Sequence, residues 1–285
     1  MNVIYIDSLE RPELAPYARL TEGQLLNRLH PEEGLFICES EKVIRVALEH
    51  GVEPVSFLCE EKFLEQVEEI SGKWNPEGEL NTLKKKKNAV KKVESEKWPV
   101  YTGKREVLAQ LTGYELSRGV LCCMHRPKLR SVEEVCAGVR RVAVMDSVVN
   151  STNTGAIFRA AASLGVDALL LTRTCCDPLN RRACRVSMGT VFQVPWAWLD
   201  SYNQLKDLGF QTVALALTER SVRIDDPVLK TPERLAIIMG TEGDGLSDSV
   251  LRQCDYVAKI PMQRGVDSLN VAAAASVAFW ELLSD

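Results

Sequence analysis

The stretch that decides the fold is residues 140–171, RRVAVMDSVVNSTNTGAIFRAAASLGVDALLL. It predicts a buried strand at Val142–Met145, a helix at Thr154–Ser163 and a second buried strand at Ala168–Leu171. Two apolar strands joined through a helix are typical of a parallel β–α–β unit whose sheet is covered by helices on both faces. The sequence therefore predicts an α/β fold with a parallel sheet in this part of the chain.

The same alternation continues towards the end of the chain. Further strands are predicted at Val191–Val194, Thr212–Leu217, Leu235–Met239 and Val257–Ile260. Two more helices are predicted, one at Asn180–Met188 and a long one at Leu269–Leu283. We expect one domain over residues 131–285, because the pattern runs without interruption.

Residues 1–130 predict a smaller, mixed α/β domain, since 285 residues are long for one domain and sufficient for two. The predicted strands are Leu35–Cys38, Pro54–Cys59 and Gly119–Met124, and the predicted helices are Glu41–His50, Lys62–Ile70 and Val107–Leu111. In the first of these helices an apolar face is formed by Val43, Ile44, Ala47 and Leu48. The polar stretch from His125 to Val135 is interpreted as a linker.

A lysine-rich insertion interrupts the first domain at Ser71–Pro99, and seven lysines lie between Lys84 and Lys97. Low apolar periodicity predicts a partly mobile loop or hairpin. The run Lys84–Lys92 is either a solvated surface or a patch that binds phosphates. The chain as a whole has a net charge of −4 and so gives no sign of a nucleic-acid partner.

The cysteine pattern argues against a zinc site or a disulfide framework. Nine cysteines, including the pair Cys175–Cys176, are present without a CxxC, and there are three histidines. We expect free thiols, most of them buried, in a cytoplasmic protein. The start of the chain predicts no signal peptide. The longest apolar run, Val271–Trp280, is about half a membrane span, so no membrane partner is expected.

Three segments of the second domain combine glycine with polar residues: NTGAIFR at 153–159, IMGTEGDGL at 238–246 and IPMQRGVDSLNVA at 260–272. Each also has an ordinary explanation: a glycine turn after a strand, a solvated arginine at Arg159, or close helix packing at Ala272–Ala275. Asn153 is a suitable N-cap for the helix that carries Arg159. The common nucleotide-binding patterns GxGxxG and GxxxxGK[ST] are absent from the sequence.

In this order, the three segments resemble motifs 1, 2 and 3 of the SpoU (TrmH-like) family of RNA 2′-O-methyltransferases, in the SPOUT superfamily. RVSMGTVF at 185–192 resembles the family's RxSxGAxF segment, and the resemblance covers Arg140 to Leu283. More weakly, FICESEKVIRVALEHGVEPVSFLCEEKF at 36–63 resembles an L30e-like RNA-binding domain. The chain departs from the family at Ser151, where proline is usual, and at Ala272, where serine is frequent.

The resemblance implies a trefoil knot in the second domain and a homodimer with each active site at the subunit interface. It also implies S-adenosylmethionine as the cofactor, without any metal. The residues that match the family's cofactor-binding loops are Gly240, Thr241, Gly243, Ile260, Met262 and Leu269. The residues implied in catalysis are Arg159, Asn153, Glu242, Ser268 and Asn270.

The function that follows from the resemblance is methylation of a ribose 2′-hydroxyl in structured RNA, with ribosomal RNA favoured over transfer RNA. Arg159 would stabilise the developing alkoxide or hold the adjacent phosphate, because a guanidinium does not lose its proton in proteins. One alternative is a non-catalytic RNA-binding or ribosome-assembly factor with the same fold. Another is a methyltransferase that acts on a base nitrogen. The residues SLN at 268–270 favour the ribose methyltransferase over this alternative.

Overall fold

The structure is a computed structural model, and it describes residues 1–76, 78, 98–111, 119–241, 243 and 245–283. Contacts divide the chain into two compact units. The first unit is Met1–Lys128 together with Leu179–Gln193, and the second is Leu129–Pro178 together with Val194–Asp285. The lysine-rich run Lys84–Lys92 lies outside the described residues.

A mixed sheet forms the centre of the first unit, in the order β1-β4-β3-β5-β2. Its strands are β1 (Asn2–Ile6), β2 (Leu35–Glu39), β3 (Pro54–Glu60), β4 (Pro99–Gly103) and β5 (Val120–His125). The first three strands in this order are parallel, and β5 is antiparallel to both of its neighbours. The predictions for β2, β3 and β5 are confirmed, whereas β1 and β4 were not expected.

Short helices cover this sheet: α1 (Ala15–Ala18), α2 (Glu22–Leu26), α3 (Glu41–Glu49), α4 (Leu64–Ser71) and α5 (Arg105–Leu108). The apolar face expected on α3 is confirmed, because Val43, Ile44, Ala47 and Leu48 are all fully buried. Burial of four such side chains stabilises the unit by several kcal/mol, at about 1.5–3 kcal/mol for each larger one.

The segment Leu179–Gln193 belongs to the first unit, although we expected it in the second domain. Its helix α8 (Arg181–Ser187) packs on β2. The Glu39 carboxylate at the end of β2 accepts hydrogen bonds from Arg181 Nε and Arg185 Nη1, each at 3.0 Å. Because Glu39 is 7% exposed, two arginine partners compensate for the loss of its hydration.

The prediction of a strand at Val191–Val194 is wrong. Residues Thr190–Phe192 form a 3-10 turn that follows Gly189, whose φ is +90°. The Phe192 ring lies 5.9 Å from that of Phe36, so packing within the first unit overrides the local strand preference. The strand lies a few residues later, at β8 (Trp196–Leu199), and its ladder begins where Leu169 N donates to Pro195 O.

A parallel sheet forms the centre of the second unit, in the order β10-β12-β9-β11-β6-β7-β8 among the described residues. Besides β8, its strands are β6 (Arg141–Met145), β7 (Ala168–Thr172), β9 (Gln211–Leu215), β10 (Val222–Arg223), β11 (Leu235–Met239) and β12 (Tyr256–Lys259). All neighbouring pairs are parallel, which confirms the predicted fold class. The trefoil knot stays a prediction.

Helices pack on this sheet: α6 (Val132–Val135), α7 (Ser151–Ser163), α9 (Asn203–Asp207), α10 (Asp248–Gln253) and α11 (Val271–Leu283). The two long ones, α7 and α11, pack against each other. Within the described ranges, no helix has both the length and the apolar character that crossing a membrane requires. All nine cysteines are free thiols, and eight of them are buried.

Arg234 joins three loops at the amino ends of the strands of the second unit. Its guanidinium donates to the backbone carbonyls of Cys136, Val139 and Leu208. The same group lies 4.1 Å above the Phe210 ring, which adds a cation–π contact. One side chain therefore donates hydrogen bonds to three loop carbonyls that lie outside the strands and form no bonds of the sheet ladder.

Replacing Arg234 by methionine keeps most of the side-chain volume but removes the side-chain donor from all three carbonyls, of which Cys136 O keeps only a long hydrogen bond of 3.5 Å from Val139 N. We expect Arg234→Met to lower the free energy of unfolding by about 2–4 kcal/mol, measured by urea denaturation. Arg223→Met is the matched control, because Arg223 pairs with Asp225 in solvent. Equal denaturation midpoints for the two variants would contradict this role for Arg234.

Candidate functional site

The carboxyl ends of the parallel strands form one edge of the sheet in the second unit. Open α/β sheets bind ligands at this edge, in the crevices outside the strand ends. The three motif segments all start here, since α7 follows β6, the glycine loop follows β11 and the third segment follows β12. The fold therefore brings the first and third segments to the same edge, although Asn153 and Asn270 are 117 residues apart in the sequence.

The glycine loop after β11 folds back tightly on itself. A Cβ placed on Gly240 would lie 2.5 Å from the backbone carbonyl of Gly245, so only glycine fits. Thr241 and Gly245 form an isolated bridge in which Gly245 N donates to Thr241 O over 3.2 Å. Gly243 has φ +93°, which favours glycine. The loop thus presents backbone groups at the strand end.

The helix α7 begins three residues earlier than expected. Asn150 is its N-cap, because its Oδ1 accepts hydrogen bonds from Thr152 N at 2.8 Å and Asn153 N at 3.2 Å. The prediction that Asn153 is the N-cap is therefore wrong. Asn153 instead lies inside the first turn, 7% exposed, and its side chain is available for another contact.

That contact joins the first and third motif segments. Asn270 Nδ2 donates to Asn153 Oδ1 over 3.1 Å. Asn270 also begins α11, because its Oδ1 accepts from Ala272 N at 3.0 Å and from Ala273 N at 3.4 Å. Asn270 therefore holds the start of α11 against the start of α7. Asn153 and Asn270 were predicted to act in the same site, and the structure places them in direct contact.

Arg159 lies about two turns into α7 and is exposed. Its backbone carbonyl accepts a hydrogen bond from Ser163 Oγ at 2.8 Å. The contacts of the described residues do not join the guanidinium to Asn153, Ser268 or Asn270. The group is thus presented on the outer surface of the helix.

The third segment runs along the surface between β12 and α11. Ile260 and Met262 are half-buried, Ser268 is exposed, and the Leu269 side chain is 40% exposed. Leu217 is an apolar neighbour that was predicted as the last residue of a strand, but β9 ends at Leu215. It is 65% exposed, and Ala216 N donates to Ala258 O, so Leu217 lies beside the start of the third segment.

The predicted site residues that the structure describes thus fall into three groups. Gly240, Thr241 and Gly243 lie in one loop, and Asn153 and Asn270 are in direct contact. Ile260, Met262, Ser268, Leu269 and Arg159 occupy surface positions on the segments that start from the same edge. Glu242 lies outside the described residues. Leu217 was predicted as the last residue of a buried strand, and the sequence pattern gave no sign that it lies exposed at this edge.

Comparison with known proteins identifies the class of this fold. Residues 140–280 match the model of the SpoU rRNA Methylase family. An rRNA methyltransferase from Sinorhizobium meliloti, solved with AdoMet bound, has a similar structure, with a TM-score of 0.78 and 22% identity over 99% of this chain and 98% of that one. The SpoU methyltransferase AviRb from Streptomyces viridochromogenes aligns with a TM-score of 0.68 and 21% identity over 91% and 93% of the two chains.

An uncharacterized tRNA/rRNA methyltransferase of Mycobacterium bovis is 43% identical over 188 residues, which are 64% of this chain and 65% of that protein. The match therefore spans slightly less than two thirds of that relative's length. Through residues 140–280 the chain belongs to the SpoU methylase family, whose members include TrmH-like proteins. The resemblance of the second domain to this family is therefore confirmed, whereas the L30e-like resemblance of the first domain stays a prediction.

Asn270 combines two separable roles, which a pair of substitutions distinguishes. Asn270→Ala removes both the cap of α11 and the bond to Asn153, so we expect the free energy of unfolding to fall by about 1–2 kcal/mol. Asn270→Asp keeps an oxygen for the cap but loses the donor to Asn153, and we expect a smaller loss. Urea denaturation measures both, and equal losses would contradict the dual role.

Proposed function

We propose that this protein is an RNA methyltransferase that transfers a methyl group from S-adenosylmethionine to a ribose 2′-hydroxyl. The observation that carries the proposal is the contact between Asn153 and Asn270, which joins the first and third family motifs. The substrate is structured RNA, with ribosomal RNA favoured over transfer RNA. The L30e-like resemblance of the first unit supports recognition of RNA shape and loops.

The residues at the sheet edge fit S-adenosylmethionine. Glycines at 240, 243 and 245 let the backbone approach a ligand closely, and their amides and carbonyls can pair with the polar edges of adenine. Exposed aliphatic side chains at Leu269 and Leu217 provide apolar surface for the adenine ring. Thr241, Ile260 and Met262 complete the cofactor-binding set. The bound cofactor supplies a methyl group on a positively charged sulfur.

Arg159 is the residue assigned to the reacting hydroxyl. A ribose hydroxyl attacks only as its proton leaves, so negative charge develops on the 2′-oxygen. The guanidinium stays protonated and can donate hydrogen bonds to this oxygen or to the neighbouring phosphate. Its exposed position on α7 allows an RNA strand to reach it. Arg159 therefore stabilises the developing charge and is not a base. As the bond from the 2′-oxygen to the methyl carbon forms, the bond from that carbon to sulfur would break, S-adenosylhomocysteine would leave, and the hydroxyl proton would pass to solvent water.

Asn153, Glu242, Ser268 and Asn270 are assigned to orienting Arg159 and the ribose. The bond from Asn270 to Asn153 fixes the start of α7, and with it the direction in which the helix carries Arg159. In-line transfer requires the 2′-oxygen to approach the methyl carbon along one direction, so positioning contributes much of the rate. No step of this mechanism uses a metal ion.

The proposal is tested with labelled S-adenosylmethionine and total RNA from cells that lack this gene. We expect label in 2′-O-methylated nucleosides, and a decrease in rate of about 100-fold or more in Arg159→Ala. Arg252→Ala is the control, since Arg252 is an exposed arginine on another helix of the second unit.

Each other result contradicts a defined part of the proposal. Label on a base would overturn the ribose assignment while keeping methyl transfer. Cofactor binding without label in ribosomal or transfer RNA would favour a non-catalytic assembly factor. An unchanged rate in Arg159→Ala would remove Arg159 from the mechanism.

We also propose that the protein is a homodimer that associates through α7 and α11. Helix α11 has the sequence VAAAASVAFWELL, which holds one charged residue. It packs on α7, yet Val277 and Trp280 are 38% and 66% exposed. An apolar surface of this kind favours association with another protein surface.

Introducing charge on this surface tests the dimer. We expect the wild-type protein to sediment as a dimer and Trp280→Glu to sediment as a monomer, because a carboxylate would be buried without a partner. Val228→Glu is the matched control, since Val228 is 37% exposed in a different part of the second unit. A monomeric wild type, or a dimeric Trp280→Glu, would contradict the assignment.

A further inference from the structure

Three hydroxyl groups converge on the carboxylate of Asp146, the residue that directly follows β6. Asp146 Oδ1 accepts hydrogen bonds from Ser147 Oγ at 3.0 Å and Thr172 Oγ1 at 3.1 Å. Asp146 Oδ2 accepts from Tyr202 Oη at 2.8 Å. Burial and the charge of Asp146 both raise the pKa of Tyr202, so the phenol stays a donor. The carboxylate therefore joins residues at the carboxyl ends of β6, β7 and β8.

This cluster fixes a turn with an unfavourable backbone conformation. Ser147 has φ +56°, in the left-handed region that residues with a side chain rarely adopt. Its amide donates to Thr172 Oγ1 at 3.0 Å, and its hydroxyl lies 2.8 Å from Thr174 Oγ1. Hydrogen bonds to both the main chain and the side chain of Ser147 compensate for the cost of this conformation.

The next residues extend the connection between the two loops. Val148 N donates to Cys175 Sγ at 3.3 Å, and Cys176 N donates to Val148 O at 3.0 Å. Cys175 Sγ in turn donates to Met145 O at 3.1 Å. The adjacent cysteines thus bind the turn after β6, which is a more specific role than packing alone.

The turn lies between the two parts of the proposed site. On one side, Asp146 N donates to Met239 O at 2.8 Å, and Met239 is the residue before Gly240. On the other side, the turn leads within a few residues to the N-cap Asn150 and then to the helix that carries Asn153 and Arg159. The direction of α7 relative to the glycine loop is therefore set at this turn.

We propose that Asp146 is a positioning residue for methyl transfer, because its carboxylate holds the turn that orients α7 towards the glycine loop. Asp146 acts through hydrogen bonds that it accepts and does not touch the substrate. The inference rests on the proposed function, since it assigns Asp146 a part in the same reaction. A shift of about 1 Å in a reacting group can cost about 100-fold in rate, so a rigid turn matters.

Two substitutions at Asp146 test this role. In Asp146→Ala the three hydroxyl donors lose their common acceptor, and we expect kcat for methyl transfer to fall about tenfold or more. Asp146→Asn keeps one oxygen for Ser147 and Thr172, and its amide can donate to the Tyr202 oxygen. We therefore expect the Asn variant to retain kcat within about threefold of wild type. Tyr202→Phe removes one of the three donors, and we expect its kcat to lie between those of Asp146→Ala and Asp146→Asn.

The opposite edge of the same sheet offers a matched control. Asp255 accepts hydrogen bonds from Thr212 N at 2.7 Å and Thr212 Oγ1 at 2.8 Å, at the amino ends of β9 and β12. Asp255→Ala also removes a hydrogen-bonded carboxylate, but far along the strands from the proposed site. We expect it to lower the melting temperature and leave kcat unchanged when all variants are assayed well below their melting temperatures.

The outcomes separate this inference from the proposed function. Absence of transfer by the wild-type protein contradicts the proposed function itself. If the wild type is active, a normal kcat and KM in Asp146→Ala overturn the positioning role. A loss in Asp146→Asn as large as in Asp146→Ala also overturns it, because charge would then matter and not hydrogen bonding. A loss of kcat in Asp255→Ala equal to that in Asp146→Ala would also overturn the positioning role, because the loss would then follow from lower stability of the whole unit.

Discussion

The parallel ladder between β6 and β11 is the constraint on which the proposed site depends. It sets Met145 beside Met239, so that the two strands end at the same level of the sheet. The segment after β6 then leads into α7 with Asn153 and Arg159, and the segment after β11 enters the glycine loop at Gly240. A slip in the pairing of these strands would separate the two motifs along the sheet edge.

The interior of the sheet in the second unit and its carboxyl edge differ in which groups they bury and expose. Within the sheet, strand residues such as Ile237 in β11 and Val144 in β6 are fully buried, as expected when helices cover both faces. At the carboxyl edge the chain instead exposes backbone groups of the glycine loop and apolar side chains such as Leu217 and Leu269. This contrast supports the assignment of the edge as the ligand-binding surface, because a folding core alone does not require it.

Much of this fold could be predicted from the sequence, and the failures have physical causes. Leu235–Met239 was predicted with the observed bounds, because a five-residue apolar run between turn residues has few alternatives. The error at Val191–Val194 arose because Phe192 packs on Phe36, a contact distant in the sequence. Likewise, no local pattern places Leu179–Gln193 in the first unit, since the ion pairs of Glu39 with Arg181 and Arg185 become visible only after folding. Family resemblance supplied the site residues, but it did not reveal that Asn150 is the cap of α7 or that Asp146 collects three hydroxyls.

The most direct test of the account is amide hydrogen exchange of the full chain with and without S-adenosylmethionine. We expect the cofactor to slow exchange in the loops that follow β11 and β12, around Gly240 and Ile260, because their backbone groups would be bound and shielded. Exchange in the first unit should stay unchanged. Slowed exchange confined to the first unit, or none at saturating cofactor, would contradict the assignment of the sheet edge as the site.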